Sequence, residues 1–175
     1  MTGVQTCALP ISRGQPQDAL RHGRAVLAHV RALGISHDCV RWTWPLAARA
    51  AHDLHDTAAT GELLTLLDSY PAGHLAPMLR AERDLARARQ AADDGDPAAA
   101  AAFAAAITSL RELSTPYHLA HGLLDHADYL TRHSDAETAA AAIGEAREIA
   151  QRLRCQPLLD RAETVQAAKP AVQAG

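Results

Sequence analysis

The sequence predicts an all-α chain of antiparallel helix pairs set in series, and three observations carry that reading. First, hydrophobic residues make up 48% of the 175 residues but aromatics only 3%, so burial rests on Leu, Ile, Val and many alanines. Alanine is the best helix former, and its small side chain lets helix axes approach to about 8 Å. Second, short breaks recur at Gly14-Gln15-Pro16, His55-Asp56-Thr57, Gly95-Asp96-Pro97 and Ser134-Asp135-Ala136, their middle residues stepping by 41, 40 and 39. A fixed step of this size is the mark of a repeat array with a period near forty residues. Third, apolar residues between the breaks fall at three- and four-residue steps, as in Leu119, Leu123, Ala127 and Leu130, then Ala139, Ile143, Ala146, Ile149 and Leu153. That spacing lays them along one helix face.

The elements follow in order. The first helix is expected from Pro16 to Leu33, and the second from Asp38 to Leu54 with Ser36 and Asp38 as entry residues. Pro45 lies inside the second helix, where a missing N–H and a clash with the preceding turn cost about 3 kcal/mol, so a kink is expected there. Trp42 and Trp44 cannot share a face at a two-residue step; one belongs in the core and the other partly outside. A third helix is expected from Thr57 to Ser69, followed by the SYPAGH turn and a fourth from Pro77 to Ala92. Four more are expected, from Pro97 to Leu113, Pro116 to Arg132, Ala136 to Leu153, and Pro157 to Ala167. Asp56, Asp96 and Asp135 are natural N-caps, since a carboxylate oxygen accepts from an unpaired N–H of the first turn. Pro97 suits the N1 position, and Ala76-Pro77, Thr115-Pro116 and Gln156-Pro157 are further helix entries.

The opening MTGVQTCALPIS fits none of this. It lacks the basic and apolar regions of a secretory signal and has no helical period. Residues 1–11 resemble a translated short-read sequencing adapter, in which an initiating GTG is followed by codons for TGVQTCALPI; a natural disordered tail is the alternative. On the adapter reading Cys7 has no biological role, and residues 12–35 are the orphan second helix of a truncated repeat. Its apolar Ala19, Val26, Leu27 and Val30 would then lack their natural neighbour. Residues 36–169 form the helical-repeat domain and residues 170–175 a frayed tail.

A net charge of −3 and no basic face give no footprint for nucleic acid. The longest apolar run, Pro97 to Ile107, falls short of the ~20 residues that span a bilayer. Cys7, Cys39 and Cys155 lack CxxC spacing, as expected of free thiols in a reducing cytoplasm.

The large-small-large set Leu123, Ala127 and Leu130, followed by Ala139, Ile143 and Ala146, resembles the two helices of a tetratricopeptide repeat. Upstream, Trp42 and Leu46 with Leu64 and Leu67, then Leu85 and Ala88 with Ala99, Phe103 and Ala106, match less closely. The period exceeds the usual ~34 residues, and Thr60 stands where alanine is expected. The resemblance implies a right-handed α-solenoid, tetratricopeptide-like, with a longer repeat. The run from Arg111 to Glu163 further resembles the C-terminal end of large actinobacterial signalling ATPases, including LuxR-type regulators and cyclase-coupled ATPases. None of that family's catalytic motifs is carried: the chain has no GxxxxGK[ST] and no cyclase metal pair.

This implies a noncatalytic interaction scaffold that uses no cofactor and contacts a protein or peptide, including other domains of its own parent chain. The binding face would be a groove lined by two polar stripes at helical spacing: Glu82, Arg89 and Asp93, and one repeat later His121, Asp125, Asp128 and Arg132. A merely solvated face is the plainer reading of such charges. A ligand- or peptide-sensing groove at His121 and Asp128 is a second reading, and a metal-dependent enzyme a third. For metal, His118, His121 and Asp125 could share one face, as could His52, His55 and Asp56. A closed zinc site needs four placed ligands, and the chain has neither a cysteine pair nor HExxH, so these histidines are read as solvated or capping. The adjacent Ser36, His37, Asp38 and Cys39 lack a nucleophile elbow and are read as helix-entry residues.

Overall fold

The computed structural model describes residues 15–168, except for the side chain of Ala72; the expected adapter segment and frayed tail lie outside these residues. No strand occurs among the described residues. The helices are α1 (Pro16–Leu27), the single turn α2 (Val30–Leu33), α3 (Asp38–Asp53), α4 (Thr57–Asp68), α5 (Pro77–Asp93), α6 (Ala99–Leu113), α7 (Pro116–Arg132), α8 (Ala136–Leu153) and α9 (Gln156–Ala167), with a 3₁₀ turn at Ala72–His74. They form two compact units, dividing between Gln90 and Ala91. Among the described residues no helix is long and apolar enough to cross a membrane.

One turn closes helix after helix. His55, Gly95, Ser134 and Arg154 each take a left-handed φ, of 53°, 69°, 64° and 52°. The N–H of the residue after each reaches back five residues: Asp56 to Ala51 O (2.9 Å), Asp96 to Ala91 O (2.8 Å), Asp135 to Leu130 O (3.0 Å) and Cys155 to Ala150 O (3.0 Å). This is the Schellman closure, which satisfies carbonyls that a helix end leaves open. At three of the four the same residue then opens the next element. The Asp56 carboxylate accepts from Ala59 N–H (2.9 Å), Asp135 from Thr138 N–H (3.2 Å) and Asp96 from Ala98 N–H (2.8 Å). A helix therefore stops and its successor starts after three residues at Asp56 and Asp135, and after five at Asp96.

Only Gly95 adopts the left-handed conformation without steric cost. Ser134 is exposed and carries that cost. Ser134→Gly is expected to raise the unfolding free energy by about 0.5 kcal/mol, the strain relieved outweighing the added freedom of the unfolded chain; urea unfolding measures it.

The first unit is built on α3. Trp44 is fully buried, and its indole N–H donates to the Leu63 carbonyl of α4 at 2.9 Å, while Trp42 is only partly buried beneath the Arg41 guanidinium. Val40, Leu63, Leu67, Leu75 and Leu79 surround the same core. The helix continues through Pro45, itself buried, so burial offsets the hydrogen bond that proline removes. His37, rather than Ser36, caps α3, its Nδ1 accepting from Cys39 N–H at 3.1 Å; the Ser36 hydroxyl donates to His74 O.

Two sequence expectations need correction here. The first helix breaks after Leu27 and resumes as the single turn α2, and Val30 and Ile35 are buried in the core. Nor do its apolar residues form an exposed stripe, because Ala19, Leu27 and Val30 are buried, Val26 is partly buried, and α1 packs on α3. The approach is close at Gly23, where an added Cβ would sit 2.7 Å from Ala47 Cβ. Gly23→Ala is expected to lower stability by about 1–2 kcal/mol, because overpacking exceeds the ~1 kcal/mol helix-propensity gain; thermal or urea unfolding decides the sign.

In the second unit α6 packs on α7, α7 on α8, and α8 and α7 both on α9. Phe103, Leu110, Leu124 and Leu158 are its largest fully buried side chains. Pro97 was expected at N1, but α6 starts at Ala99, because Asp96 first closes a turn over Ala98. Thr115 holds an extended N-cap backbone with no side-chain bond.

Candidate functional site

The charged residues on α3, α5, α7 and α9 are the unusual feature of this small-residue core. Arg49 on α3, Glu82 and Arg89 on α5, and His118 and Asp125 on α7 are all buried. A buried charge is stable only when paired and hydrogen-bonded, and each of these side chains has an interaction partner.

The expected groove residues therefore divide. In the first unit Glu82 and Arg89 are interior, which rules out a solvated face at these two positions, while Asp93 is exposed at the end of α5. In the second unit the four-residue stripe splits lengthwise. Asp128 and Arg132 sit on its outer end and pair with each other at 2.8 Å, half exposed to water. His121 and Asp125 form its inner end and turn toward α9, where Arg161 meets them.

Arg161 organises that seam. Its Nη2 donates to the Asp125 carboxylate in an ion pair, with the Asp125 side chain 2% exposed and that of Arg161 27%. Its Nη1 contacts His121 Nδ1 at 3.0 Å and donates to the His121 carbonyl at 3.3 Å. Tyr117 closes the other side of the imidazole edge-on, with ring centroids 4.7 Å apart, and meets His118 the same way at 5.5 Å. Arg161 was not singled out in the sequence because nothing local marks it.

The proposed metal sets are used otherwise. Asp125 is bonded to Arg161, Asp56 caps α4, and His55 occupies the left-handed turn position. Among the described residues no group of three or more His, Cys, Asp or Glu side chains is placed to hold a metal ion. Cys39 and Cys155 are free thiols.

A second polar feature borders α6. His126 stacks on Phe103 with centroids 5.4 Å apart, and Phe103 leans on Tyr129, which stacks on His133. Burial lowers the His126 pKa below its ordinary 6.5, opposed in part by the negative charge of Asp135. The unfolded chain therefore takes up a proton before the folded one does. The contribution of His126 is fully present above that ordinary pKa and is lost as the pH falls through the window below it. Unfolding free energy is expected to drop between about pH 7.5 and about pH 5.5, and to drop less in His126→Leu; urea titrations at the two pH values check this.

Comparison with protein-family models, with curated proteins and with solved structures finds no match.

Proposed function

We propose that this chain is a noncatalytic helical-repeat scaffold, a tetratricopeptide-like right-handed solenoid from the C-terminal region of a larger bacterial signalling ATPase or transcription regulator. Its role is to hold other domains of the parent chain, or a partner protein, in register. The observation that supports this most is the repeated turn. Left-handed residues at 55, 95 and 134, each followed by a capping aspartate, recur at nearly constant spacing and end one helix where the next begins. Stacked hairpins of this kind bury one another's apolar faces and present long helix faces for contact.

The seam chemistry favours a structural use of the inner charges over ligand sensing. Asp125 and His121 are engaged by Arg161, so a peptide seeking them would have to displace α9. The half-exposed pair Asp128–Arg132 offers a contact point for a partner.

The test begins with the source locus upstream of Ser12. An in-frame ATPase core is expected there; a stop codon followed by a start beside Ser12 would overturn the assignment. In the full reading frame, deleting residues 15–168 is expected to spare basal ATP hydrolysis and abolish the contact between domains or with the partner. Loss of basal hydrolysis itself would place this region in the catalytic machinery and contradict a scaffold.

A further inference from the structure

We infer that His121 is a proton-sensitive latch that fastens α9 to α7. A guanidinium has five N–H donors and no acceptor, and it stays protonated throughout the accessible pH range. The 3.0 Å contact between Arg161 Nη1 and His121 Nδ1 can be a hydrogen bond only if Nδ1 carries a lone pair. The imidazole is then neutral, with its proton on Nε2. Protonation at Nδ1 removes the acceptor and sets a second cation against the guanidinium.

The surroundings make this contact decisive for α9. Arg161 reaches α7 through three bonds, to Asp125, to the His121 carbonyl and to His121 Nδ1. From α7 itself Tyr117 meets the ring edge-on, His118 packs against that same tyrosine, and Asp125 pairs with the same guanidinium. From α9 the facing charge is Arg161, while Asp160 is bonded to Gln156. On the other helices that pack within this unit, Arg111 of α6 and Glu145 of α8 bind each other at 2.8 Å, and Arg147 of α8 binds Gln166. Protonated His121 and Arg161 then share the single carboxylate of Asp125. The seam keeps its charge balance only by letting the guanidinium, already partly exposed, swing toward water. Helix α9, which packs on both α7 and α8, loosens with it.

The experiment has two arms on the intact 175-residue chain. The ¹⁵N shifts of the His121 ring at neutral pH are expected to show a bare Nδ1 and a protonated Nε2; the opposite tautomer, or a charged ring, overturns the inference. Hydrogen exchange of α9 amides, corrected for intrinsic rates, is then compared between about pH 7.5 and about pH 5.5, with an expected loss of protection of about tenfold from a charge-assisted bond. His121→Asn places its side-chain oxygen where Nδ1 stood, accepts at every pH, and is expected to remove the local pH dependence while retaining that of His126. Equal pH dependence of α9 protection in both proteins would contradict the latch.

Discussion

Trp44→Ala is expected to lower the unfolding free energy by about 3–5 kcal/mol, the largest effect of any single truncation in the first unit. Trp44 is fully buried and is the largest such side chain among the described residues. Its removal leaves a cavity between α3 and α4 and strips the Leu63 carbonyl of the indole N–H that reaches it at 2.9 Å. Trp44→Phe restores most of the volume but not the donor, so it is expected to cost roughly the worth of one buried hydrogen bond, about 1–2 kcal/mol. Urea unfolding of the two variants separates the packing and hydrogen-bond contributions. Equal losses would mean that volume contributes little and would remove the case for Trp44 as the centre of this core.

Asp125→Ala is the second large effect, expected at about 2–3 kcal/mol. The carboxylate is almost wholly buried, and its loss leaves the Arg161 guanidinium without its anion. The cost stays below that of a fully buried pair because Arg161 can turn its free end to water. The double variant Asp125→Ala with Arg161→Met is expected to recover part of the loss, since an unpaired buried cation is removed and an apolar chain fills the seam. A double-mutant cycle on urea unfolding measures the coupling; additive losses would show that the two side chains do not act as a pair.

These two residues also show how much of the molecule was legible in the sequence. Helix positions were, because they follow from local signals: aspartates that cap, prolines at entries, and apolar steps of three and four. The starts of α1, α3, α4, α5, α7 and α8 coincide with expectation, and that of α9 lies one residue from it. Turn geometry at Pro97 was not legible, because an aspartate side chain bonding two residues ahead and a proline at N1 leave the same short sequence pattern. The break after Leu27 was also hidden, since Val26, Leu27 and Val30 continue a helical apolar pattern across it, and Val30 and Ile35 are buried in the core beyond it.

The polar stripe shows the same limit at the site. Steps of three and four put His121, Asp125, Asp128 and Arg132 on one face, but helical spacing does not say which end of a face another helix will cover. Arg161 decides that from thirty-six residues away in the chain, by taking Asp125 out of water. The forty-residue period was the one long-range signal present in the sequence, and it relates equivalent positions of successive repeats rather than the partners of a contact.

The account rests most heavily on that repeated helix-to-helix turn, and backbone chemical shifts across residues 15–168 test it directly. The expected record is uninterrupted helical shifts within α3 to α9, broken by left-handed shifts at His55, Gly95, Ser134 and Arg154. Helical shifts running on through these four positions, or a run of strand-like shifts anywhere between them, would contradict the hairpin series and everything built on it.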